Sequence, residues 1–411
     1  MTTPFGTLKK NPVARTTQPT LPPSSRSRTA HGLTRAASLG KFALQVCQDC
    51  QAVQYPPRDV CGTCLSDTLL WQAVNPYGTL LADTTLYHSN DLYFRERLPW
   101  RIGTVRMDAG PSVVAHVHQE CLPNTRVRLS LRLDRAGQAV MIALPEQETP
   151  HMADDPMLRE MACDPRFRRV FITDGKSEVG LALVPALLKA GASTIFVGDA
   201  QPWKDVAAYT ALLDNPRVQR VVIDLTDTDS VQRAATLVGG KVDILINTSD
   251  MLRDGGVMQA KDINPARDML DINVLGLIRL AHHFGPALCA RAADGTHGAV
   301  AWVNILSIYA EMSLPSRGIW SASKAAALSL SQTLRSEMRA SGIRVMHIFP
   351  GPLDQEWEQL TPPPRVTPHA LAAAIVRGLR HGIEDVYVGD IAQEFSERLA
   401  ENAKALEREI G

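Results

Sequence analysis

Residues 47–64 read CQDCQAVQYPPRDVCGTC. Two Cys-x-x-Cys knuckles stand ten residues apart, and this stretch constrains the fold more than any other. Each knuckle lets two thiolates reach one ion across a tight turn, and four thiolates close a tetrahedral zinc site. A redox dithiol needs only one such knuckle. A closed site has no open coordination position, so Cys47, Cys50, Cys61 and Cys64 are expected to serve folding rather than chemistry. Four of the seven cysteines fall in this cluster, and such clustering in a reducing compartment points to metal rather than disulfides.

The pattern then turns to strands. YGTLLADTTLYHS, RIGTVRMD, SVVAHVHQ, TRVRLSLRLD and QAVMIAL are short, alternating and β-branched, and turn signals such as DAGP and DRAG separate them. Five such strands suit a small all-β barrel of the OB type. Ribbon plus barrel, over about residues 41–146, resembles the acyl-CoA-associated family that joins a rubredoxin-like zinc ribbon to an OB fold. The resemblance rests on the two knuckles, the PPR between them, and GTLLADTTLYH and IGTVRMDAGPSVVAHV after them. It implies a module that binds acyl-CoA or stands beside a thiolase-like enzyme. OB folds also bind oligonucleotides, but this barrel is poor in aromatics and lacks a basic stripe, so nucleic acid is not the expected partner. His116 and His118 share one strand face as ligands or as ordinary packing. Cys121 is read as structural.

Before the ribbon, residues 1–40 carry six Lys or Arg, five prolines and no acid. This head has almost no apolar run and is expected to be a disordered tail. A transit peptide is the rival reading, which the prolines oppose. No apolar stretch is long enough to span a bilayer, so a cytoplasmic protein is expected. Lys plus Arg equals Asp plus Glu at 43 each, so net charge draws the chain to neither nucleic acid nor membrane. The expected order is tail 1–40, ribbon 41–66, barrel 67–146, linker 147–167 with one short helix near MLREMA, a Rossmann domain 168–390, and a C-terminal helix 391–411.

From residue 170, strands alternate with helices, which predicts an α/β, doubly wound parallel sheet of the Rossmann type. Ordered motifs follow: VVIDLTD, ILINTSD, DINVLG, VNILSI, WSASK and FPGP. Over residues 168–411 the chain resembles the short-chain dehydrogenases and reductases. That resemblance implies Asp224 near adenine, Asn247 at the strand end, Asn273 in a helix, Ser307 polarising the substrate, and Lys324 at both the cofactor and the catalytic group. Trp320 stands thirteen residues after Ser307, where the family has its proton-transferring tyrosine. An indole N–H donates but does not ionise usefully in water.

The cofactor turn departs as well. TDGKSEVG keeps Gly180 but places Asp174 and Glu178 where the family has glycines. Asp199, ending the second strand, suits the 2′-hydroxyl of NAD. The expectation is an accessory subunit of CoA-thioester metabolism whose dehydrogenase-like half is a pseudoenzyme, assembled as a homo- or hetero-oligomer through helices near 270–291 and 319–340. The alternative is an active NAD-dependent oxidoreductase on a hydroxyacyl- or oxoacyl-CoA. A nucleic-acid-binding OB protein is the third reading.

Overall fold

The computed structural model describes residues 18–24, 27–258, 262–294, 298–356 and 361–410. The chain divides into two compact units: Thr20–Cys163 with His381–Glu384, and Asp164–Arg380 with Asp385–Gly411.

The first unit opens on helix α1 (His31–Ser38) after a 3-10 turn at Arg28–Ala30. The expectation of a disordered tail over 1–40 is therefore corrected from residue 28. Leu33, Ala36 and Ala37 recur at helical spacing and are buried in the barrel's core cluster. Residues 1–17, where most of the tail and transit-peptide readings fall, lie outside the described residues. Strands β1 (Ala43–Cys47), β2 (Val53–Gln54) and β3 (Leu69–Ala73) form an antiparallel sheet in the order β2-β1-β3. Residues 69–73 thus pair within the ribbon, not within the barrel that was expected to begin at 67.

Each knuckle closes alike. Gln51 N–H donates to the Cys47 carbonyl and Leu65 N–H to the Cys61 carbonyl, both at 3.0 Å. Gln51 and Leu65 both take positive φ, at 60° and 64°. That left-handed residue turns the chain so that both cysteines of a knuckle face inward.

Strand β4 (Tyr77–Leu86) follows, then the short helix α2 (Leu92–Arg95), β5 (Trp100–Met107), β6 (Ser112–Val117), β7 (Arg126–Leu133) and β8 (Ala139–Pro145). They close as β4-β5-β6-β8-β7. The five strands are the five expected. Period-two alternation sends Val113, Ala115 and Val117 of β6, and Val127, Leu129 and Leu131 of β7, into the core. Closure leaves no free edge. Helix α3 (Pro156–Glu160) is the short helix expected in the linker, capped by Asp155, whose carboxylate accepts from Met157 N and Leu158 N.

In the second unit β9 (Arg169–Ile172), α4 (Glu178–Lys189), β10 (Thr194–Asp199), α5 (Ala207–Leu213), β11 (Val218–Val222), α6 (Thr228–Val238) and β12 (Ile244–Asn247) alternate. Then come α7 (Asn264–Leu270), α8 (Gly276–Ala292), β13 (Ala301–Ile305), α9 (Gly318–Met338), β14 (Arg344–Pro350), α10 (Pro368–His381), β15 (Asp385–Val388) and α11 (Asp390–Ile410). All seven strands are parallel, in the order β11-β10-β9-β12-β13-β14-β15. The central strands carry buried apolar runs at residues 170–172, 244–246 and 301–303, as two-sided burial requires. The order reverses between β9 and β12, and a crevice opens there beyond their carboxyl ends. Among the described residues, no helix is long and apolar enough to cross a membrane.

Candidate metal centre and candidate active-site cleft

The ribbon's two knuckles bring the Sγ atoms of Cys47, Cys50, Cys61 and Cys64 within 4.8 Å of one another. Cys47 and Cys64 stand 3.5 Å apart and Cys50 and Cys61 3.6 Å. A tetrahedron with Zn–S near 2.3 Å has edges of about 3.8 Å, so the cage fits a zinc ion. Backbone N–H groups of Cys64 and Thr63 hold the Cys61 thiol down at about 6. Thr63 N and Gln54 Nε2 donate to its sulfur at 3.3 and 3.4 Å. Such N–H···S bonds favour the thiolate that zinc requires. All four positions are filled by protein, so the centre is structural.

The barrel histidines are part of the packing. His116 Nδ1 accepts from Trp100 Nε1 at 2.8 Å, and His118 Nδ1 accepts from Glu120 N at 3.1 Å. Cys121 is buried against the Ala143 carbonyl, and burial pushes its thiol up to about 12.

The crevice of the second unit is a cleft of about 610 Å³. One end is the turn TDGKSEVG between β9 and α4. Gly180 is required there, because a Cβ would lie 2.1 Å from the Asp174 carbonyl oxygen. Asp174 lines the cleft, and its Oδ1 accepts from Lys176 N at 3.0 Å and Ser177 N at 3.1 Å. Burial raises its pKa, against the pull of those two N–H donors. Ser177 caps α4, its Oγ accepting from Gly180 N at 3.1 Å. Glu178 opens the helix, and its carboxylate accepts from Glu356 N at 3.0 Å, in the segment after β14.

Asp199 is 1% exposed and pairs with Lys176 (2.8 Å) and Arg220 (2.9 Å). It stands behind Lys176 and not among the residues lining the cleft. Asp224 lines the cleft, with Oδ1 accepting from Thr226 N and Oγ1 at 2.9 and 2.8 Å. Asn247 ties β12 to β9, its Oδ1 accepting from Thr173 Oγ1 at 3.0 Å. A dinucleotide's pyrophosphate would need the turn's N–H groups. Those of Lys176, Ser177 and Gly180 already have acceptors within the chain, and two carboxylates flank the place. Those three donors are not open to a diphosphate, and any phosphate at the start of α4 would stand beside the Asp174 and Glu178 carboxyls.

At the other end, Asn273 lies in a π-helical turn, Asp271–Leu275. Its Oδ1 accepts from Met251 N at 2.9 Å, and its Nδ2 donates to Met251 O at 3.0 Å and to Ser323 Oγ at 2.9 Å. Ser307 lines the cleft, accepting from Tyr309 N at 3.2 Å. Trp320 and Lys324 project from one turn of α9. The Trp320 indole N–H donates to Asp250 Oδ1 at 3.1 Å, and Lys324 Nζ reaches the same oxygen at 3.1 Å and the Ile305 carbonyl at 3.4 Å. The indole is therefore held by a carboxylate and is not a free donor for a substrate carbonyl.

Sequence reasoning missed Asp250. Its signal was present: a carboxylate closing ILINTSD, just beyond a strand end beside the crevice. It lines the cleft, and its Oδ2 has no partner among the described residues.

Comparison with known proteins agrees with this architecture. Residues 168–363 match the short chain dehydrogenase model, residues 34–69 the ChsH2 rubredoxin-like zinc ribbon domain, and residues 71–132 the ChsH2 C-terminal OB-fold domain. The chain is 30% identical over 213 residues to short chain dehydrogenase pigC of Monascus ruber, covering 49% of this chain and 68% of that one. It is 29% identical over 188 residues to a farnesol dehydrogenase of Aedes aegypti, covering 44% and 75%. A short chain dehydrogenase from Burkholderia cenocepacia J2315, solved in complex with NADP, superposes with a TM-score of 0.54 at 32% identity, covering 60% of this chain and 98% of that one.

Proposed function

From residue 168 the chain belongs to the short-chain dehydrogenase family, and from that premise we propose that it is an accessory subunit of CoA-thioester metabolism whose dehydrogenase domain has lost its proton relay. The observation that carries this reading is the Trp320–Asp250–Lys324 contact. The position that should ionise holds an indole, and its one N–H is given to a carboxylate. General acid–base catalysis contributes about 10²–10⁴-fold, and the reading assigns this domain a loss of that size. Asn273 and Lys324 then serve structure: the first joins a helix to a loop, the second neutralises Asp250.

The ribbon–barrel unit, matched by the ChsH2 domains, supplies the acyl-CoA or thiolase-like partner contact. The helices Gly276–Ala292 and Gly318–Met338 supply assembly with a second dehydrogenase-type subunit. Leu275 and Ile278, each 45% exposed, support a face of that kind. A cytoplasmic setting suits free thiolates and CoA thioesters. Copurification with a thiolase-like enzyme and titration with acyl-CoA test the reading. A monomer that binds neither overturns it.

A second reading, an oxidoreductase on a hydroxyacyl- or oxoacyl-CoA, draws on one observation. Asp250 presents an unshared carboxylate oxygen in the cleft that also holds Ser307, and a carboxylate accepts a hydroxyl proton where an indole does not. Turnover of a hydroxyacyl-CoA that Ser307→Ala abolishes decides for it.

A further inference from the structure

A helix N-terminus with a tight turn before it is an anion site by construction, since its N–H groups have no intrahelical partner. In this protein the anion is built in. We infer that the Asp174 and Glu178 carboxyls take the place of a diphosphate and close this cleft to dinucleotides and to the diphosphate of coenzyme A alike.

Two observations carry the inference. The turn keeps the close approach that a ligand would exploit, because Gly180 leaves no room for a Cβ beside the Asp174 carbonyl. Yet the N–H groups of Lys176 and Ser177 converge on Asp174 Oδ1, so the acceptor's place is taken from within. Glu178 adds a second carboxylate at the first residue of α4, and it holds Glu356 N, across the cleft mouth. Lys176 is the cation that could offset a phosphate. Its ammonium is spent on Asp199 and on the carbonyls of Gln201 and Lys204, at 2.8, 2.7 and 2.6 Å. A diphosphate would then meet like charges and no unclaimed donor at Lys176, Ser177 or Gly180. On the accessory reading, which the inference deepens, recognition of the CoA diphosphate falls to the ribbon–barrel unit.

The test is titration of the full-length, zinc-loaded protein with NADH and NADPH, read by nicotinamide fluorescence. The wild type is expected not to saturate below about 1 mM. The Asp174→Gly/Glu178→Gly variant is expected to bind about a hundred-fold more tightly, the size of effect that like charges of this kind exert. Circular dichroism reports whether that variant folds. If it does not, Asp174→Asn/Glu178→Gln keeps an acceptor at both places, removes the charge, and is expected to gain about ten-fold. Wild-type saturation below about 1 mM overturns the inference, and so does a folded variant that gains nothing. Acyl-CoA or thiolase capture by the wild type is read separately. Its failure refutes the accessory role while leaving the NADH result standing.

Discussion

Asp250→Ala isolates the contact on which the functional reading turns. The Lys324 side chain is 3% exposed, while that of Asp250 is 35% exposed. Removing the carboxylate leaves a buried ammonium with the Ile305 carbonyl at 3.4 Å and the face of Trp320, 5.7 Å from the ring centroid. Breaking a fully buried pair costs about 3–5 kcal/mol; the exposure of Asp250 lets water reach the site and reduces this to about 2–3 kcal/mol. At about 2–4 °C per kcal/mol for a unit of this size, the melting transition of the C-terminal unit falls by about 5–10 °C. Lys324→Met removes the buried charge and leaves Asp250 hydrated, so it should cost about 1 kcal/mol or less. The double variant should match Lys324→Met, giving a coupling of about 2 kcal/mol. Urea titrations followed by tryptophan fluorescence measure all three, since Trp302 and Trp320 both lie in this unit. If the single effects add within about 0.5 kcal/mol, the ion pair does not hold the site together and the reasoning fails.

Further outcomes follow from the same geometry. Cys61→Ser should reduce bound zinc, measured by a chromogenic chelator, from one ion per chain to near none. Because a structural zinc is worth about 10–16 kcal/mol in small ribbons, the ribbon should lose protease resistance. His116 is held down at about 4 by burial, below its ordinary 6.5. Its neutral form is favoured by folding, so the barrel is most stable above pH 6.5 and loses about 3 kcal/mol as pH falls from 6.5 to 4. His116→Gln should flatten that slope in urea midpoints taken across the range. Trp320→Tyr alone should give no turnover with NAD and hydroxyacyl-CoAs. Placed on the Asp174→Gly/Glu178→Gly background it should give measurable reduction of NAD at 340 nm, and turnover by Trp320→Tyr alone would contradict the blocked turn.

Much of the architecture was legible because it is written in local patterns. The two knuckles carry their own spacing, the barrel strands alternate with period two, and the second unit's central strands carry apolar runs such as VFI, ILI and AWV. Helix α1 was not legible. Its apolar residues are few, and Leu33 and the two alanines are buried only once a barrel exists to receive them. The start of the barrel was misjudged for a related reason: Leu69–Ala73 reads as any strand, and only its pairing with β1 assigns it to the ribbon. Ser307 and Trp320 in the cleft, and Asn273 and Lys324 beside it, could be found by order and spacing. Asp250 could not be found in that way, since nothing in ILINTSD shows that an indole 70 residues later would donate to it. Asp199 suited a ribose on paper, but its two cationic neighbours come from a turn and an adjacent strand that only the folded sheet brings near.

The sheet order also bears on how the chain is made. The barrel and ribbon pair mostly with sequence neighbours, so Thr20–Cys163 presents nearly all its strands before the next unit begins. The second unit has no such luxury. Strand β9 lies inside its sheet, yet the partner on one side is β12, with Asn247 contacting Thr173 from 74 residues downstream. At about 5–20 residues per second, a ribosome needs about 4–15 s to deliver it. During that interval Val170, Phe171 and Ile172, fully buried in the finished protein, have one flank uncovered. Zinc capture by the ribbon comes earlier than this exposure, so a metal-poor cell would meet two unfinished domains on one nascent chain.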